Sequence, residues 1–117
     1  MKNPKYQIFK NKINNEYYFR LRAENGEIIL SGEGYKSKQG CRNGIQSVKI
    51  NSPFDSRYEN RTARNGQYYF VLKANNGEII GVSETYTTTY ARSNGRAAVK
   101  RCGPTSPVED TTLVSLY

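Results

Sequence analysis

Arg92, Arg96 and Lys100 recur at four-residue spacing with Arg101 beside them, and Lys38, Arg42 and Lys49 form a looser stripe earlier in the chain. Four-residue spacing lines cations along one face of a helix, where they can meet successive phosphates. Tyr18, Arg20 and Arg22, with Tyr69 and Lys73, alternate along two extended segments. Such an aromatic and basic mixture can pair phosphates and stack bases. Glu33 stands two residues before Tyr35 just as Glu84 stands before Tyr86. This carboxylate and phenol could face a cationic or hydroxylated ligand across a cavity between two halves of the molecule. Each group has a plainer reading: a solvated helix face, a wet sheet face paired across strands or covered by a protein partner, and a structural corner ahead of a helix.

Catalytic constellations are missing from the sequence. Histidine is absent, Cys41 and Cys102 have no activating neighbour, and no GxxxxGK[ST] loop is present to cradle phosphates. Carboxylates do not fall at metal-ligand spacings. The expectation is a protein that is not an enzyme and takes no cofactor or metal. The two cysteines do not occupy equivalent repeat positions and read as reduced structural thiols. Eighteen Lys and Arg against ten Asp and Glu leave a formal charge of +8, which attracts polyanions and also serves solubility.

The elements that must carry these residues come from a repeat. Glu16 to Ile29, EYYFRLRAENGEII, returns as Gln67 to Ile80, QYYFVLKANNGEII. Period-two alternation puts Tyr17, Phe19, Leu21 and Ala23 on one face and Tyr18, Arg20 and Arg22 on the other; Tyr68, Phe70, Leu72 and Ala74 oppose Tyr69, Val71 and Lys73 in the same way. Asn25-Gly26 and Asn76-Gly77 end the alternation as expected of tight two-residue hairpin turns. An earlier strand is expected over Tyr6 to Lys10. Ser37 caps a predicted helix over Lys38 to Ile50, and Thr88 caps one over Tyr90 to Arg101. Arg57 to Thr62 and Val108 to Tyr117 read as further strands. With 117 residues the chain has material for one core that both repeats share, about 5–54 and 55–113. No apolar run could span a bilayer and the first residues lack a signal-peptide pattern, so a cytoplasmic location and no membrane contact are expected; a monomer is expected because the duplication supplies within one chain what a single unit would need two chains to supply.

The pattern YYFxLxAxNGEII, then ExY, then NG followed two residues later by VK, together with PFDSRYENRTARNGQYYFVLKANNGEIIG and VKRCGPTSPVEDTT, resembles the YegP-like family, whose members carry this unit singly or in tandem. The resemblance implies an α+β fold: a pseudo-twofold pair of three-stranded antiparallel units with one helix each. They would form one shared antiparallel sheet with both helices on one face and exchanged terminal strands, Arg57 to Thr62 and Val108 to Thr112 being the exchanged or shared segments. It implies no active site, since the family is of unknown function. Asn94-Gly95-Arg96 departs from Asn43-Gly44-Ile45 of the first helix, so either the second helix is expected to sit slightly rotated or Arg96 to lay its stem along the core edge with its guanidinium in water. The residues thus suggest a small interaction module whose basic surface meets nucleic acid or an acidic protein. A structural or protein-binding domain with charge for solubility is the alternative.

Overall fold

A computed structural model describes residues 1–113 of the chain. The first repeat contributes β1 (Lys5–Lys10), β2 (Tyr17–Arg22), β3 (Ile28–Ser31) and α1 (Lys38–Asn51); the second contributes β4 (Tyr58–Thr62), β5 (Tyr68–Lys73), β6 (Ile79–Val82) and α2 (Thr89–Cys102), and β7 (Val108–Asp110) follows. The strands form one sheet in the order β4-β5-β6-β3-β2-β1-β7. All pairings are antiparallel except β7 on β1, which is parallel, so the sheet is mixed. α2 carries the chain back over the sheet to the first repeat, and a strand laid down after that crossover runs in the same direction as β1. β7 is therefore exchanged onto the other repeat, whereas β4 pairs with β5 of its own.

Alternation decides the faces. Tyr6, Ile8, Phe19, Leu21, Leu30, Phe70 and Leu72 are fully buried and meet Cys41, Ile45, Val48, Ala98, Val99 and Cys102 from the two helices in one cluster. Cys41 and Cys102 are free, buried thiols, and burial pushes the Cys41 thiol up to about 11. Ser37 Oγ accepts from Gly40 N at 2.9 Å and Thr88 Oγ1 from Ala91 N at 3.0 Å, which satisfies orphan amides at each helix start. Tyr6 of β1 donates its hydroxyl to Gly103 O beyond α2, and Tyr58 of β4 donates to Ser52 O beyond α1, both at 2.7 Å.

The hairpin turns differ from the two-residue form. Gly26 N donates to Ala23 O, Ala23 N to Glu27 O, and of the turn residues only Gly26 has positive φ, at 85°. A three-residue turn ending in a left-handed glycine results, with a register shift at Arg22, and it recurs at Gly77 and Lys73. Asn25 serves as an acceptor, its Oδ1 taking Glu27 N at 3.0 Å, which the two-residue turn would not need. Of the segment from Val108 to Tyr117 expected as a strand, Val108–Asp110 is one and Thr111 and Thr112 are not. Thr111 and Thr112 turn back on Ile8 O and Asp110, and residues 114–117 lie outside the described range.

Candidate functional site

The face of the sheet opposite the helices carries one connected cluster in the first repeat. β1 lies beside β2 with Gln7 opposite Arg20 and Phe9 opposite Tyr18, and side chains opposite one another on a shared face interact directly. Arg20 Nε donates to Gln7 Oε1 at 2.9 Å and Arg22 Nε donates to the same oxygen at 2.7 Å. Arg22 Nη1 reaches Gly26 O at 2.7 Å. The Arg20 guanidinium lies over the Phe9 ring, 4.6 Å from its centroid, and Phe9 stacks on Tyr18 at 5.8 Å. Gln7 passes its amide donor on to Glu109 of β7 at 2.7 Å, and Lys5 pairs with that carboxylate at 3.2 Å. Burial, and then the Arg22 charge, lower the Arg20 pKa from its ordinary value, as two guanidinium ions do when no anion separates them. Among the described residues neither arginine has a carboxylate partner.

The second repeat offers the contrast. Tyr58 faces Leu72 as Tyr6 faces Leu21, which puts Glu59 in the place of Gln7, Arg61 in that of Phe9, Tyr69 in that of Tyr18 and Val71 in that of Arg20. Glu59 takes Lys73 and Arg61 in ion pairs, the latter at 3.0 Å. Val71 is 1% exposed. Tyr69 and Lys73 therefore sit beside a carboxylate that offsets one of two cations, not in a second copy of the first.

The helical stripe is likewise occupied from within. Arg92 donates to Arg61 O at 3.1 Å and lies over Tyr68. Arg96 lies over Tyr58 and donates to Asn60 Oδ1 at 3.0 Å, with Asp55 at 3.9 Å. Its stem follows the core edge as expected, yet its guanidinium is held by protein groups where free hydration was expected. Lys100 pairs with Asp55 at 2.8 Å, and Arg101 pairs with Glu24 through two bonds at 3.0 and 3.1 Å. The Arg101 guanidinium, by hydrogen bonding first, holds the Glu24 carboxyl down at about 2.

The Glu33/Tyr35 and Glu84/Tyr86 corners are built into the fold. Tyr35 and Tyr86 exchange both backbone hydrogen bonds with Tyr17 and Tyr68 at 2.7–2.8 Å. Their phenols pack where a Cβ on Gly44 or Gly95 would overlap them, which explains the recurring Asn-Gly of the helices. Glu33 and Glu84 are exposed. A hollow of about 460 Å³ lies between the β2–β3 turn and α2, with Glu24, Glu27, Tyr86 and Arg101 in its wall but neither Glu33 nor Glu84. Its Glu24 is taken by Arg101. The structure thus brings Tyr18, Arg20 and Arg22 together, separates them from Tyr69 and Lys73, and scatters the α2 cations among internal partners. Gln7, Phe9 and Glu59 escaped the reading of the sequence, although the alternation of Tyr6 and Ile8 against Gln7 and Phe9 already put the latter two on the outer face.

Comparisons with known proteins agree on kinship. The domain of unknown function DUF1508 matches the chain twice, over residues 13–59 and 63–110. The UPF0339 protein YegP of Yersinia pestis is 49% identical over 108 residues, 92% of this chain and 96% of that protein. YegP of Escherichia coli strain K12 is 49% identical over 98 residues, 84% and 89% of the two chains. The solution structure of E. coli yegP superposes with a TM-score of 0.87 at 43% identity, covering 95% of both chains. That of a UPF0339 protein from Shewanella oneidensis gives 0.84 at 44% identity, covering 91% and 89%.

Proposed function

We propose, for a chain that belongs to the DUF1508 family and so to a domain family of unknown function, the role of a non-catalytic interaction module that holds an anionic partner on the outer sheet face of its first repeat. One observation carries this reading: Arg20 and Arg22 converge on a neutral acceptor, Gln7 Oε1, with no carboxylate partner among the described residues. Two positive charges held side by side by a neutral group gain more from an incoming anion than cations that already have one. The α2 stripe supports binding poorly, since Arg96, Lys100 and Arg101 would have to give up Asp55 and Glu24 first.

No helix among the described residues is long and apolar enough to cross a membrane. The module acts as a monomer, because the second repeat covers within one chain what an isolated unit would leave open at its sheet edge. Fluorescence anisotropy with labelled oligonucleotides at two salt concentrations tests the reading. Arg20→Gln/Arg22→Gln is expected to lose most of the binding and to flatten the log–log salt dependence by roughly two units. Arg92→Gln/Arg96→Gln is expected to bind nearly as the parent does. Binding that ignores the first pair would overturn the proposal and reduce the charge of +8 to a contribution to solubility.

A further inference from the structure

Resting on that reading, we infer that the Gln7–Arg20–Arg22 cluster seats a phosphodiester group of a nucleic-acid backbone without reading the bases, and that Glu59 fills the equivalent seat of the second repeat from within. The two repeats place their seats in matching register, Gln7 opposite Arg20 and Glu59 opposite Val71. In the second, the carboxylate of Glu59 draws in Lys73 and Arg61 and so displays the chemistry of the occupant, an oxyanion between two cations. In the first, the neutral amide oxygen of Gln7 orients both guanidinium planes through their Nε atoms. Both Nη atoms of Arg20 and Nη2 of Arg22 are left without a partner among the described residues. Arginine forks of this kind match phosphate oxygens bidentately.

Base stacking is closed off. Phe9 carries the Arg20 guanidinium over its ring at 4.6 Å and stacks with Tyr18 at 5.8 Å. Tyr18 in turn takes Asn14 Nδ2 on its hydroxyl at 2.8 Å and packs where a Cβ on Gly34 would crowd its ring. An aromatic platform for single strands needs an open ring face, and the Phe9 ring already carries Arg20. A nucleic-acid backbone is favoured over an acidic protein because a net charge of +8 rewards the densest polyanion through counterion release, whereas protein partners need a desolvated anchor at the centre of the contact.

The test exchanges the two central residues on the full chain. Gln7→Glu is expected to weaken binding of mixed-sequence oligonucleotides by about tenfold, because the new carboxylate occupies Arg20 and Arg22 as Glu59 occupies Lys73 and Arg61. Asn43→Asp, the same charge change on the outside of α1, is expected to weaken it far less. Gln7→Glu/Glu59→Gln keeps the net charge and is expected to recover binding, with the protected amides moving to β4 and β5 in NMR titration. Homopolymers of A, T and C should bind alike within about twofold if phosphates alone are held. Equal effects of Gln7→Glu and Asn43→Asp would overturn the seat. Strong base preference would overturn its blindness to bases. Equal competition by poly-glutamate, or equal binding to vesicles of anionic lipid, would overturn nucleic acid as the partner while leaving the anionic-surface reading intact, and loss of all effect in Arg20→Gln/Arg22→Gln would remove that reading itself.

Discussion

Gln7 and Glu59 differ by one oxygen for one nitrogen, and that difference separates two arginines with no carboxylate partner among the described residues from two cations that share one. Where an amide stands, two arginines are drawn together with their charge intact; where a carboxylate stands, Lys73 and Arg61 are satisfied. Asp110 shows the same logic at the sheet edge. Its side chain is 5% exposed and meets Lys38 at 2.9 Å and Arg42 at 3.4 Å. Burial pushes its pKa up, but the hydrogen bonds of Thr112 and the Lys38 ammonium outweigh this and take it from 3.8 to about 2. A carboxyl depressed in the folded state stabilises above its unfolded pKa and loses that contribution as pH falls through its folded one. Stability to urea should therefore decline by about 2 kcal/mol from this group between about pH 4 and about pH 2. Asp110→Asn should remove that step and lower stability at neutral pH by a similar amount; an unchanged acid profile in the variant would rule the assignment out.

At the level of elements, helix and corner are coupled through glycine. An exposed glycine in a helix interior is normally improved by alanine, by about 1 kcal/mol. Gly44 and Gly95 should show the reverse sign, since a methyl group there overlaps the Tyr35 or Tyr86 phenol and overpacking costs about 1–3 kcal/mol. Thermal unfolding of Gly95→Ala against Gly95→Ala/Tyr86→Phe measures this: removal of the hydroxyl that makes the nearest overlap should return part of the loss. A stabilised Gly95→Ala would mean the corner yields freely. The Glu-x-Tyr pattern is explained by this packing for its tyrosine, while Glu33 and Glu84 stay exposed and their side chains carry no hydrogen bond or ion pair among the described residues.

For the whole molecule, the seam between repeats is narrow in the sheet and broad in the core. β3 and β6 meet through the single pair Ser31 and Val82, and Leu30 leans across onto Gly81, where a Cβ would collide with it. Tyr6 to Gly103, Glu24 to Arg101 and β7 on β1 tie the two halves besides. One cooperative unfolding transition is expected, and a fragment of residues 1–54 should remain unfolded by circular dichroism because its half of the core is closed by the other repeat. Gly81→Ala should destabilise the whole chain by about 1–3 kcal/mol without splitting the transition. Two separated transitions in urea would show the halves to be independent. Sedimentation at tens of micromolar is expected to give a monomer, and a stable dimer would require an edge or face of the sheet to be covered in solution.

Local physics determined much of this protein from the sequence alone. Period-two alternation, Asn-Gly turns, Ser37 and Thr88 caps and the repeated echo specify strands, helices and the duplicated unit, because each depends on neighbours a few residues away. The inward set, Phe19, Leu21, Phe70 and Leu72, was legible for the same reason. The turn type was not, since Asn-Gly serves both the two-residue turn and the three-residue one. Nor could spacing along α2 say that its cations are already spent, because Glu24 meets Arg101 and Asp55 meets Lys100 only after the chain has crossed the sheet. The direction of β7, the seam at Gly81 and the contrast between Gln7 and Glu59 are all decided by which strands lie side by side. Charges distant in sequence are neutralised, or left free for a partner, by that topology.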